Sequence, residues 1–314
     1  MRGIPHGFAN EGSMRRHTRR NLVTGLLFMS PFLVGLVVFT LYPMGGSAYL
    51  SFTHFNGTDP PQWIGLNNFH YLFTADDLYQ GALFNMAYMV LISVPLTLAV
   101  AFLHAWLLNF PIHGRPFYRA ALILPAFMPL VAVTLVWTWM FNPELGVVDL
   151  GLGKLGLPQP NWLTDATWAK PCLILLLLWT VGTTTIIYLA ALQDVPVHLY
   201  EAAQIDGANL WQRVRHVTIP MVSPATFFNL IIGMVNTFQI FTAALVLTAN
   251  SYGSSVGAPQ GSLLFPVMYM WNSLFAYVRF GYASAQATIL FLLILLATGA
   301  LLYGSRRWVY YEAA

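Results

Sequence analysis

Apolar runs long enough to cross a bilayer recur six times along this chain, with the charges confined between them. A helix needs about 20 apolar residues to span the hydrocarbon core. Runs of that kind cover about 22–42, 84–108, 120–141, 171–192, 221–248 and 282–303. Inside lipid every backbone polar group must be bonded within the protein, so each run is expected to be helical. Only 8% of the 314 residues are charged and 57% are hydrophobic, whereas soluble domains carry about 25% charge. The expected fold class is therefore an all-α membrane protein of about six transmembrane helices, and an ordinary soluble globular protein is excluded. Pro125 and Pro129 fall inside the third run and predict a kinked or broken helix there.

The charges orient the bundle. Arg2, Arg15, Arg16, Arg19, Arg20, Arg115, Arg119, Arg213, Arg215, Arg306 and Arg307 fall on one side of a six-span layout, and only Lys154, Lys170 and Arg279 on the other. The excess marks the cytoplasmic side, which puts both termini inside. Residues 1–20 then form a cytoplasmic tail, 21–308 the membrane domain and 309–314 a short cytoplasmic end. The basic N-terminus reads as this tail rather than as a nucleic-acid-binding arm, and as preceding an anchored span rather than a cleaved signal peptide, since no small-residue cleavage site follows the first run. Outer loops are expected at about 43–83, 141–169 and 250–263, with Trp162 and Trp168 as interface anchors. The apolar stretch 264–278 reads as a short re-entrant or interfacial helix. As a full crossing it would carry Arg306 and Arg307 outside.

Residues 199–220 interrupt the apolar pattern with LYEAAQIDGANLWQRVRHVTIP. Glu201, Ala202 and Ala203 begin a helical pattern. Gly207 can take positive φ without a Cβ clash and so break and turn it, and Pro220 is expected to close it. A helix–turn–helix at the membrane surface results. This stretch resembles the EAA loop of permease subunits of binding-protein-dependent ABC importers, whose pattern runs E-A-A, three residues, G, nine residues, I-x-L-P. Val217 and Ile219 replace its Ile and Leu. The likeness extends from about 32 to 311 through Tyr42-Pro43, Ser51-Phe52, Trp63-Ile64-Gly65-Leu66-Asn67-Asn68-Phe69, Phe141-Asn142-Pro143 and Gly281-Tyr282-Ala283-Ser284-Ala285. The chain is similar to the sugar and glycerol-phosphate uptake permeases, the type that includes the maltose transporter's larger membrane subunit. A Gly-Gly-Pro turn frequent in that family is replaced here by a longer outer loop containing Gly257-Ala258-Pro259.

The resemblance implies the type I ABC importer permease fold, with 199–220 as a coupling helix docked in a groove of a cytoplasmic ATPase. It implies that Glu201 meets an arginine there, that Gly207 supplies the turn and that Leu210 and Trp211 are the interface anchors. It further implies a second, related permease subunit, two ATPase subunits and an extracytoplasmic solute-binding protein. ATP and Mg would be used by the ATPase, this chain holding no cofactor. Its own sequence agrees: Gly153-Lys154 is followed by Leu155, no GxxxxGK[ST] loop is present, and neither HExxH nor GxSxG occurs. Cys172 is the one cysteine, which precludes an intrachain disulfide, and no zinc-ligand spacing exists.

Polar residues inside spans usually face a cavity or a partner. Asn236 and Gln239, three apart in the fifth run and flanked by Phe238 and Phe241, offer amides for sugar hydroxyls and rings for apolar sugar faces. Near this position the resembling permeases carry sugar-contacting asparagines. Thr180, Thr183 and Thr184 in the fourth run form a second candidate group. Interhelical hydrogen bonding is the competing reading for the amides, and back-bonding for the threonines. An ion-driven transporter would need ionisable residues paired in mid-span, and none of the six runs has a central one. A membrane-embedded enzyme would need His, Asp or Glu clustered at one face, and none is found. A sugar or oligosaccharide is thus expected, with glycerol-3-phosphate or a related polyol ester as the alternative. A phosphorylated solute would want a cation in the cavity, and no run supplies one.

Overall fold

The computed structural model of the chain describes residues 11–143, 145–249 and 257–310, with side chains from residue 21 onward. Residues 1–10 of the expected N-terminal tail, Glu144, the start of the loop at 250–263 and the last four residues lie outside the described residues.

Helix α1 (Glu11–Leu36) passes through a π turn (Val37–Leu41) into α2 (Tyr42–Leu50), giving an apolar stretch of 30 residues from Asn21 to Leu50. The first span thus runs past Pro43, where the sequence suggested an outer loop. Proline lacks the N–H and its ring presses on the carbonyl four residues back. Here that carbonyl belongs to Phe39, inside the π turn, where the widened spacing absorbs the conflict.

A small ribbon follows, β1 (Thr53–His54) antiparallel to β2 (Gln62–Trp63), with Thr53 opposite Trp63. Helix α3 (Asn67–Thr74) fastens to it: Asn68 Nδ2 donates to the carbonyls of Ser51 and Thr53, both at 2.9 Å. Phe52 stacks on Trp63 and meets Phe69. The Trp63–Phe69 motif is therefore a ribbon-and-helix clasp. Helix α4 (Asp77–Asn109) is the central long helix.

Helix α5 (Arg115–Ile123) continues as a 3₁₀ turn (Leu124–Phe127) and then bends by 102° into α6 (Leu130–Met140). Met128 is extended (ψ 143°), as a residue before proline must be, so the two prolines break this span outright. Helix α7 (Val147–Lys154) lies in the next connection. Helices α8 (Ala166–Trp179) and α9 (Gly182–Gln193) meet at 50°. No proline sits at this break. Instead Gly182 presses against the α5 region, where a Cβ would stand 2.9 Å from Ile123 Cα and from the Leu122 carbonyl oxygen.

Helices α10 (Val197–Ile205) and α11 (Leu210–Arg213) form a hairpin, and α11 runs on through a second π turn (Val214–Thr218) into α12 (Ile219–Met221). Pro220 does not end this helix. Like Pro43 it follows a π turn by two residues, and the chain bends by 65° only at Val222, into α13 (Ser223–Phe238). After a break comes α14 (Thr242–Ala249), then α15 (Pro266–Phe275) and α16 (Phe280–Ser305). At 10 residues, or about 15 Å, α15 is too short to cross a bilayer. Met268, Tyr269, Asn272 and Ser273 are buried in it, so it packs inside the bundle. Among the described residues, three helices are long and apolar enough to span a membrane, and up to six if each bent pair counts as one span.

Two apolar cores fill the bundle. One, at the ribbon end, includes Tyr79, Met86, Met89, Leu173, Leu176 and Phe238. The other, at the hairpin end, includes Ala101, Ala105, Leu108, Tyr188, Leu189 and Leu192. Trp162, expected at the interface, is held within the protein. Its ring packs on Phe141 and Trp168, and its Nε1 donates to buried Asp149 at 2.7 Å.

Candidate functional site

A cavity of about 150 Å³ separates the two cores. Three helical segments supply it with polar groups at helical spacing. Ser93 and Thr97 come from α4, Thr180 and Thr184 from the α8–α9 break, and Asn229, Asn236 and Thr237 from α13. Ser93 is the middle residue of α4, so the polar layer lies halfway along the bundle. Residues four or seven apart share a helix face, which sets Ser93 beside Thr97 on α4 and Asn229 beside Asn236 on α13; Thr180 and Thr184 meet the cavity from the two sides of the α8–α9 break. Val94, Leu98, Leu177 and Val181 complete the walls.

The hydroxyls are partly committed to their own helices. Thr180 Oγ1 donates to the Leu177 carbonyl at 2.9 Å and Thr237 Oγ1 to that of Gly233 at 2.8 Å. Asn229 differs. Its side chain is only 4% exposed and its Nδ2 has no partner among the described residues. A buried amide donor left unbonded is costly, so this group is set to bond something that enters the cavity. Asn236 is exposed and marks the open side.

The sequence-selected residues divide. Thr180, Thr184 and Asn236 line the cavity, whereas Thr183 and Gln239 are exposed and do not. Gln239 is the residue that ends α13, one position past Phe238, and it lies outside the cavity lining that Asn236 joins.

At the hairpin end, α10 closes with a Schellman turn. Gly207 lies at φ +79°, its N–H bonds the Gln204 carbonyl at 3.1 Å, and Ala208 N–H bonds that of Ala203 at 2.9 Å. Asn209 then caps α11 through a capping box with Gln212. The Tyr200 hydroxyl reaches Thr218 Oγ1 at 3.0 Å and ties the two arms together. Glu201 and Ala202 are exposed and Ala203 half-buried. Ile205 is 87% and Trp211 69% exposed, with Leu210 also open. The knob is thus internally braced and apolar at its tip.

A family model described as "Binding-protein-dependent transport system inner membrane component" matches residues 112–309. The chain belongs to this family. The permease is 36% identical over 300 residues to a probable ABC transporter permease protein, YesP, of Bacillus subtilis (strain 168), with 95% of each chain covered. It is 32% identical over 290 residues to the lactose transport system permease protein LacF of Rhizobium radiobacter, covering 90% of this chain and 94% of that one. Its fold matches a chain in the crystal structure of a bacterial ABC transporter involved in import of the acidic polysaccharide alginate. The TM-score is 0.80 at 24% identity, covering 94% of this chain and 99% of that one.

Two features of the permease escaped the sequence reading. Ser93 and Thr97 were detectable as hydroxyls four apart in an apolar run. Asp76 lies in the stretch expected as the first outer loop, yet it is 5% exposed and accepts from Tyr79 N–H at 3.0 Å, from the Tyr269 hydroxyl at 2.8 Å and from the Tyr282 hydroxyl. Burial, with the Asp76 carboxylate beside it, pushes the Tyr269 hydroxyl pKa up and keeps it a donor.

Proposed function

We propose that this permease is the transmembrane subunit of an ATP-driven importer that moves a neutral sugar or oligosaccharide handed over by a solute-binding protein. The observation that carries the reading is the mid-bundle layer of amides and hydroxyls between two apolar cores. Amides and hydroxyls match sugar hydroxyls, and membrane transporters commonly bind substrate near the bilayer midplane. Among the described residues no cation lines the cavity, which favours a neutral saccharide over a phosphate ester. The lactose transport role printed for one relative, LacF, is in line with a sugar.

At about 150 Å³ the cavity is smaller than the roughly 300 Å³ at which ligand pockets usually begin. This chain then supplies one wall, and a second permease subunit facing Asn236 supplies the other. The membrane domain has six spans with both termini in the cytoplasm, by the arginine asymmetry. The hairpin of α10 and α11 is the coupling element: Glu201 pairs with a cation of an ATPase subunit, and Ile205, Leu210 and Trp211 fill its groove. Two ATPase subunits bind and spend ATP with Mg. Their closure moves the braced knob as a body, so that the cavity opens alternately to either side.

Reconstitution tests this. Vesicles holding the chain with its accompanying subunits are expected to take up labelled oligosaccharide only with ATP and loaded binding protein. Uptake by the chain alone down an ion gradient would overturn the proposal.

A further inference from the structure

Helix α5 and the 3₁₀ turn after it border a groove of about 570 Å³ that the transport cycle above does not use. Its walls are Arg115, Arg119 and Ala120 at one end and Ile123, Leu124 and Phe127 at the other. Arg115 Nε and Nη2 and Arg119 Nε are buried, and none has a hydrogen-bond partner among the described residues. Buried donors of this kind are rarely left unbonded. Two guanidinium groups four residues apart on one helix face also repel each other unless an anion lies between them. A planar guanidinium pairs best with a carboxylate or phosphate.

The other end of the groove is apolar and open: Leu124 is 66% and Phe127 76% exposed. From Arg115 to Phe127 the chain runs on the order of 20 Å, comparable to the roughly 15 Å depth of one hydrocarbon leaflet. Exposed Phe117 and Tyr118 on the same helix are the aromatic type found at headgroup level. All of these lining residues lie on α5 and its 3₁₀ turn, and α5 packs on α4 and α9, which holds them in place.

We infer that this groove holds an anionic glycerophospholipid. Its phosphodiester lies between Arg115 and Arg119, and an acyl chain lies along Ile123, Leu124 and Phe127. The headgroup level this assigns to α5 rests on the orientation proposed above, but lipid retention is read without reference to transport, so either can fail alone. An inorganic anion would satisfy the arginines and leave the apolar end bare. An acidic segment of another subunit would likewise leave the fit to an acyl chain without use.

The test uses the full chain, purified with whatever subunits accompany it, in nanodiscs of phosphatidylcholine with a minor share of phosphatidylglycerol. Lipid retained per chain after detergent extraction is counted by mass spectrometry. The wild type is expected to retain phosphatidylglycerol in preference to phosphatidylcholine. In the Arg115→Gln, Arg119→Gln double variant that preference should fall roughly thirtyfold, the factor for two basic side chains at an anionic surface. Leu124→Gln with Phe127→Gln touches only exposed positions and should also reduce retention, which keeps the test available if the arginine variant does not fold. Unchanged retention in both variants overturns the inference. So does equal protection against thermal unfolding by inorganic phosphate in phosphatidylcholine alone, or a crosslink from the arginine pair to a carboxylate of an accompanying subunit.

Discussion

The Tyr269 hydroxyl donates to the buried Asp76 carboxylate at 2.8 Å, across 193 residues of chain. The same carboxylate takes the Tyr282 hydroxyl and caps α4 through Tyr79 N–H. One acid thereby fixes α15, α16 and the start of the central helix to each other. Asp76→Ala leaves these donors buried and unpaired, which costs about 1–3 kcal/mol for each. Thermal unfolding in detergent should show a clear loss for Asp76→Ala and a smaller one for Tyr269→Phe. Equal stability of Asp76→Ala and wild type would show that the cluster is not structural.

Gly182 sits where α9 meets α5. The Cβ of Gly182→Ala would stand 2.9 Å from Ile123 Cα and from the Leu122 carbonyl oxygen, so backbone must move. Overpacking of this kind costs about 1–3 kcal/mol. Because Thr180 and Thr184 flank the position, altered solute affinity should accompany the loss of stability. A melting curve paired with uptake kinetics reads both.

Asn229 holds the unpartnered amide of the cavity. Asn229→Ala and Asn236→Ala should each raise the KM for uptake about tenfold, the effect of roughly 1.4 kcal/mol, with subunit assembly unchanged. Thr183→Ala and Gln239→Ala, outside the cavity lining, should leave KM within about twofold on the same scale. Were the two pairs to behave alike, the cavity would not be the solute site.

Glu201→Arg and Trp211→Ala alter the exposed knob without touching a core. Both should insert in the membrane normally. Trp211→Ala should weaken capture of the ATPase roughly thirtyfold, as loss of an aromatic anchor worth about 2 kcal/mol does. Glu201→Arg should abolish binding-protein-stimulated ATP hydrolysis. Copurification and ATPase assays decide the matter.

Gly207 holds φ +79° in a Schellman turn. Gly207→Val forces a β-branched residue into the left-handed region, at a cost of about 1–2 kcal/mol or more. It should loosen the hairpin and lower coupling while the melting temperature of the bundle changes little. Limited proteolysis at 205–210 would report the loosening.

The sequence by itself determined the helical class, the long apolar stretches, the break at Pro125 and Pro129, the turn at Gly207 and the membership of the permease family. Those properties are local: run length, glycine's access to positive φ, and the bar that proline places on the residue before it. Tertiary structure decided the rest. Pro43 and Pro220 read as helix ends, yet each helix passes through, because a π turn widens at the carbonyl the proline would meet. The bend at Thr180–Val181 has no local breaker, only a glycine fitted against α5. Asn236 joined the cavity lining and Gln239, just past the end of α13, did not, while Ser93, Thr97 and Asn229 came together with Thr180 and Thr184 from three helical segments. Asp76 became a buried anchor because tyrosines about 200 residues away fold onto it. Which polar groups converge depends on helix rotation and crossing, and packing sets those once distant segments meet.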